Sequence, residues 1–157
     1  MSDEVSVTRD IAAPAEQVWA MVADVTRMGE WSPESEGATW LGGATGAVPG
    51  ARFRGANRNG KKQWNTLCTV VDADPGQRFA FRVTVGGLKV AQWAYALDPT
   101  PTGCRVTETW TDQRGQLVKS LGKPVSGVGD RAAHNRQTME RTLAQLAAAA
   151  ESSAGSA

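Results

Sequence analysis

Glu4 to Ile11 (EVSVTRDI) alternates, which predicts a strand with Val5, Val7, Arg9 and Ile11 on one face. The period then changes. Pro14 suits the first turn of a helix and Glu16 favours its N-terminal dipole. Val18, Trp19, Val22 and Val25 recur at helical spacing, and the helix is expected to end between Asp24 and Arg27, ahead of Gly29 and Pro33. A short second helix or turn is expected over residues 26–35. Gly37 to Gly50 is glycine-rich around a small apolar patch, Thr39-Trp40-Leu41, read as a short strand.

From Ala51 the chain reads as a meander. Ala51 to Arg58 alternates, Asn59-Gly60 is a strong hairpin signal, and Gln63 to Val71 is the return strand. Asp74-Pro75-Gly76 is a turn, because proline fixes φ and glycine permits its positive values. Arg78 to Val85, Lys89 to Leu97 and Cys104 to Thr111 follow as strands, separated by Gly86-Gly87 and by the loop 98–103. Gln113 to Gly129 holds glycines and Pro124 and reads as a loop or broken helix. A long helix runs from Asp130 to about Glu151, with Ala132, Asn135, Met139, Leu143, Leu146 and Ala150 as its inner stripe. Residues 1–151 are expected to form a single domain and 152–157 a disordered tail. The order of strand, helix, antiparallel strands and long helix is that of an α+β layer fold.

Turn positions also set which residues share a face. With Asn59-Gly60 as the loop, Phe53 pairs with Thr66 and Gly55 with Trp64. Phe53, Gly55, Asn57, Trp64, Thr66, Cys68 and Val70 then point inward, while Arg52, Arg54, Arg58, Gln63 and Asn65 face water. The Pro75 turn carries the inner face on to Phe79, Phe81 and Val83. Across the Pro99 loop, Leu97 meets Cys104, Tyr95 meets Val106, Trp93 meets Glu108 and Ala91 meets Trp110. A strict two-residue turn at Gly86-Gly87 would put Phe81 and Trp93 on opposite faces, so an odd-length loop or a bulge is expected there.

Composition sharpens this picture. Six tryptophans against three phenylalanines and one tyrosine exceed the needs of an ordinary core in 157 residues, and point to an aromatic-lined cavity. Its inner face would hold aromatics together with a few polar groups: Asn57, Thr66, Tyr95, Glu108, and Asn135 from the helix. That is the usual make-up of a small-molecule pocket. The net charge of +1 argues against a nucleic-acid partner. No apolar run approaches the roughly 18 residues of a membrane span, and Met1 to Asp10 lacks the apolar core of a signal peptide. A cytoplasmic protein with two reduced, buried structural thiols, Cys68 and Cys104, is expected.

Each candidate group has a functional and a structural reading. Glu108 is a ligand anchor or general acid/base, or else the ion-pair partner of Arg9; the pair is favoured because buried charges are normally matched. Asn135 either binds a ligand carbonyl or serves as a cap or a bridge to a strand carbonyl. Tyr95 either donates to a substrate carbonyl or bonds to backbone. His134, on the flank of the stripe, has no second His or Cys at metal-ligand spacing, so neither a metal nor a cofactor is expected. Arg52, Arg54, Arg58, Lys61 and Lys62 read as a solvated outer face. No hydrolase, metalloprotease, dinucleotide or P-loop motif is present. Arg136, Glu140 and Arg141 on the outer side of the long helix look solvated, which suits a monomer or weak homodimer.

The stretches "IAAPAEQVWAMVADVTRMGEWSPE", "VPGARFRGANRNG", "DADPGQRFAFRV" and "DRAAHNRQTMERTLAQL" resemble the START-like (SRPBCC) superfamily, and within it the bacterial polyketide cyclase/dehydrase-like family. The resemblance runs from about Val5 to Glu151. It implies a helix-grip fold: a seven-stranded antiparallel sheet wrapped around the C-terminal helix, two short helices closing one end, and an internal cavity between sheet and helix. Trp31 and Pro33 would then wall the cavity mouth, and Gln113 to Gly129 would form its lid. The ligand would be hydrophobic or aromatic: a lipid, a polyketide or an isoprenoid-like molecule. Trp31, Phe53, Trp64, Phe81, Trp93, Trp110 and Met139 would supply walls, and Asn57, Thr66, Tyr95, Glu108 and Asn135 direction. Cyclase or dehydratase chemistry on Glu108 or Tyr95 is the alternative, and a regulatory module with a filled core a further one.

Overall fold

The computed structural model describes residues 4–114 and 131–155. Its elements are β1 (Glu4–Ile11), α1 (Ala15–Ala23), a 3₁₀ turn (Val25–Glu30), β2 (Ser35–Trp40), β3 (Arg52–Asn59), β4 (Lys62–Asp74), β5 (Arg78–Val85), β6 (Leu88–Thr100), β7 (Gly103–Asp112) and α2 (Arg131–Gly155). The strands form one antiparallel sheet in the order β1-β7-β6-β5-β4-β3-β2, with α2 laid against its inner face. This is the helix-grip arrangement. The expected lid lies mostly in residues 115–130, outside the described residues. The long helix continues to Gly155, beyond the tail expected from Ser152.

Short turns dictate the register. The β3–β4 hairpin turns at Gly60-Lys61, with Asn59 opposite Lys62, and only Gly60 takes positive φ. Phe53 therefore pairs with Cys68 and Gly55 with Thr66, two residues from the expected partners. Side chains alternate with period two, so the shift changes partners but not faces. The same correction applies to the last hairpin. β6 and β7 extend to Thr100 and Gly103, setting Tyr95 opposite Glu108 and Trp93 opposite Trp110. Gly86 and Gly87 make a two-residue turn, both with positive φ, and the expected bulge lies beside it: Thr84 pairs with Lys89 but Val83 with Ala91, so Val90 is the extra residue. That bulge puts Phe81 and Trp93 on the same face.

Gly103 is required by close approach. A Cβ there would lie 2.0 Å from the Ile11 carbonyl oxygen, so only glycine lets the start of β7 pass under the end of β1.

The core sits toward one end of the grip. Val18, Val22 and Val25 pack with Ile11, Phe79, Val106, Leu143, Leu146 and Ala150, all buried. The amide Nε2 of Gln17 donates to the Ala150 carbonyl, and Ala12 N–H donates to Glu151, tying the N-terminal segment to the end of α2. The Trp19 indole N–H donates to the Arg78 carbonyl at 2.9 Å and fixes α1 over β5. No helix among the described residues is long and apolar enough to cross a membrane.

Candidate functional site

The other half of the grip is hollow. Between the inner face of β3–β7 and the first turns of α2 lies a cavity of about 320 Å³. Phe53, Asn57, Trp64, Thr66, Phe81, Trp93, Tyr95, Glu108, Trp110, Asn135 and Met139 all line it. Strand alternation places each of the strand residues there, and Asn135 and Met139 lie one turn apart on a single face of α2. The aromatic wall is braced by edge-on contacts, Phe53 to Phe81 at 5.2 Å and Trp40 to Phe53 at 5.5 Å between ring centroids. Gly55 completes the floor, because a Cβ there would stand 2.8 Å from the Thr66 hydroxyl.

Two expectations are corrected. Trp31 does not line the cavity. It closes the 3₁₀ turn, donates its backbone N–H to the Met28 carbonyl, and is buried in the core beneath the Arg27 guanidinium. Its neighbours Met28 and Ser32 reach the cavity instead, and Pro33 does not. The second correction concerns the expected Arg9–Glu108 ion pair. Val7, not Arg9, stands opposite Glu108, and Arg9 is exposed on the outer edge of β1.

Glu108 is instead a buried acid, 2% exposed, with no cation beside it and no hydrogen-bond partner for Oε1 among the described residues. Burial pushes its pKa up to about 8, against a smaller opposing effect of the Tyr95 hydroxyl beside it. At neutral pH Glu108 is therefore a carboxylic acid, able to donate a hydrogen bond. Burial, reinforced by the Glu108 carboxyl, holds the Tyr95 phenol well above its usual range, with Ser32 acting the other way. The inner end of the cavity is thus polar but uncharged.

The outer end is charged, a feature the sequence reading missed. Glu34 and Arg131 both line the cavity and pair at 2.6 Å, both largely buried. Arg131 also donates to Asn135 Oδ1 at 3.2 Å and stands 5.9 Å above the Trp64 ring. Asn135 therefore accepts from Arg131, and among the described residues it makes no bridge to a strand carbonyl. His134 Nε2 lies 3.4 Å from Glu34. The available signal was helical spacing: Arg131 sits one turn before Asn135, on the face already read as inward.

Asn57 donates to the Thr66 hydroxyl at 3.4 Å, and Asp112, buried, holds Arg114 at 2.8 Å. Cys68 and Cys104 are free and buried, and burial pushes the Cys68 thiol up to about 12, so it does not supply a thiolate nucleophile. Among the described residues no group of three or more potential metal ligands converges.

Comparisons with known proteins agree with this geometry. The family "Polyketide cyclase / dehydrase and lipid transport" matches residues 2–151. The Polyketide_cyc-like protein Cgl2372 from Corynebacterium glutamicum is 32% identical, over 96% of this chain and 86% of that one, with a TM-score of 0.54. The protein CV1439 from Chromobacterium violaceum shares the fold at a TM-score of 0.70 and 15% identity, over 95% and 98% of the two chains. The di-domain ARO/CYC StfQ from the steffimycin biosynthetic pathway superposes at 0.74 with 15% identity; this chain is covered to 99% and spans 53% of StfQ. No curated protein sequence matches the chain. With the helix-grip sheet, the cavity between sheet and helix, and a family match from end to end of the fold, the chain belongs to the polyketide cyclase/dehydrase and lipid transport family.

Proposed function

We propose that the protein binds a small hydrophobic or aromatic molecule, of lipid, polyketide or isoprenoid type, in the cavity between the sheet and α2. The observation that carries this reading is the lining itself. Phe53, Phe81, Trp64, Trp93 and Trp110 wall a space of about 320 Å³ into which few polar groups converge. That volume is within the range of ligand pockets, which begins at about 300 Å³. It speaks against a module with a filled core. Each 100 Å² of apolar ligand surface removed from water contributes about 2.5 kcal/mol, before the costs of association. The buried free thiols fit a reducing, cytoplasmic setting, and the charged outer face of α2 fits a monomer or weak dimer.

The test is to denature the purified protein, extract it with organic solvent and analyse the extract by mass spectrometry, then to titrate the emptied protein with apolar ligands by tryptophan fluorescence. A retained apolar compound, or saturable quenching lost in Trp64→Ala, supports binding. No retained compound and no quenching with any ligand would sink it.

A second reading is catalysis, and one observation favours it. Glu108 is a proton donor facing the aromatic-lined cavity beside Tyr95, the kind of group that could protonate a carbonyl during cyclisation or dehydration. Turnover of a poly-β-keto substrate by the wild type and its loss in Glu108→Gln would establish it.

A further inference from the structure

We propose that the cavity selects an uncharged ligand bearing a carbonyl-type oxygen at its buried end, which accepts a hydrogen bond from Glu108 Oε1, and that it rejects carboxylate ligands. This rests on the ligand-binding reading above and specifies its chemistry.

The argument begins from an imbalance. A buried carboxyl is ordinarily matched by a cation. None of the described cations is placed to do this for Glu108. Arg9 is exposed, Arg131 is committed to Glu34 and Asn135, and Arg114 is held by Asp112. On the strands flanking it, Glu108 faces Val7 of β1 and Tyr95 of β6, neither of them positive. The group is therefore held as the neutral acid, in agreement with its raised pKa. Among the described residues Oε1 is left without a partner at the cavity wall. An unmade hydrogen bond at a buried site is costly, so a partner is expected. A ketone, quinone or lactone oxygen supplies an acceptor without a charge. A carboxylate would enter a pole where the described residues offer no cation and would leave its own charge unmatched. The mouth does not reverse this preference, because Arg131 already neutralises Glu34 there.

Three probes of one shape separate the terms: 2-acetylnaphthalene, 2-ethylnaphthalene and 2-naphthoate. They share the ring and differ in the group that would meet Glu108. Binding is measured by tryptophan fluorescence and calorimetry at about pH 6.5, where Glu108 keeps its proton and naphthoate is ionised. The ketone is expected to bind about five- to tenfold more tightly than the ethyl compound, and at least about tenfold more tightly than the carboxylate. Glu108→Gln, which retains a donor, should keep the preference for the ketone. Glu108→Met should abolish it while leaving the ethyl compound bound. Equal binding of the ketone and the ethyl compound by the wild type, or tightest binding of the carboxylate, would overturn the proposal while leaving apolar binding intact. No binding of any probe would overturn both. The wild-type comparison stands even where the methionine variant fails to fold.

Discussion

Replacing Glu108 by glutamine should stabilise the protein at neutral and alkaline pH and leave it unchanged in acid. The acid's pKa rises from 4.5 to about 8 on folding, chiefly because burial penalises the charged form. Between those values the unfolded chain has released the proton and the folded chain still holds it. Folding stability is therefore fully present below about pH 4.5, falls as pH rises, and levels off above about 8. At about 1.4 kcal/mol per pKa unit, the loss reaches about 3 kcal/mol at pH 7 and about 5 kcal/mol above pH 8. Glutamine keeps the shape of the protonated acid, presents a carbonyl to the Tyr95 hydroxyl and does not titrate. It should recover those amounts, and at pH 7 raise Tm by roughly 6–12 °C. Urea unfolding of both proteins at about pH 4.5, 7 and 9 gives the difference directly, because every other titrating group is common to both. A difference that does not change with pH, or a wild type more stable than the variant at pH 9, would refute the reasoning. Either result would mean that Glu108 is ionised in the folded state and stabilised by a charge.

Three further outcomes follow from the same structure. Trp64→Ala or Trp93→Ala should weaken apolar ligand binding about tenfold or more in a fluorescence or calorimetric titration, whereas Arg54→Ala, on the exposed outer face, should not; equal loss in all three would sink the cavity assignment. Gly103→Ala forces a methyl group against the Ile11 carbonyl and should cost about 3 kcal/mol in urea unfolding, or prevent folding. Arg131→Met strips Glu34 of its partner at the mouth and should cost about 1–3 kcal/mol; Glu34→Gln in the same chain should return part of that loss, a coupling read by a double-mutant cycle.

The faces of the sheet were legible because parity survives errors in register. Moving the β3–β4 turn from Asn59-Gly60 to Gly60-Lys61 changed every pair by two positions, yet Phe53, Asn57, Trp64 and Thr66 stayed on the inner face. The bulge after Val83 could be inferred from the conflict between two aromatic strands. Trp31 was misplaced for the converse reason. It lies at a junction between a 3₁₀ turn and a strand, where no period tells a side chain which way to point. Arg9 shares the parity of Val5 and Val7, but its place near the end of β1, beyond the residue opposite Glu108, puts its long side chain in water. The Glu34–Arg131 pair joins segments 97 positions apart, which no local pattern registers.

The long helix reconciles a stable fold with a hollow one. Its C-terminal half contributes Leu143, Leu146, Ala147 and Ala150 to the core, and there α1 and the β1 end are bonded to it. Its N-terminal half presents Asn135, Thr138, Met139 and Thr142 to the cavity. Thr138 and Thr142 return their hydroxyls to carbonyls of their own helix, at 3.0 and 2.8 Å, so they add polar atoms to the wall without requiring partners across it. Glu108 differs: among the described residues its Oε1 has no partner, opposite a helix face that could have carried a lysine or arginine. Since its ionisation would cost several kcal/mol, and a leucine or methionine at that position would avoid the cost, the acid has no packing rationale. Its position at the inner pole of the cavity is explained if its partner is the ligand.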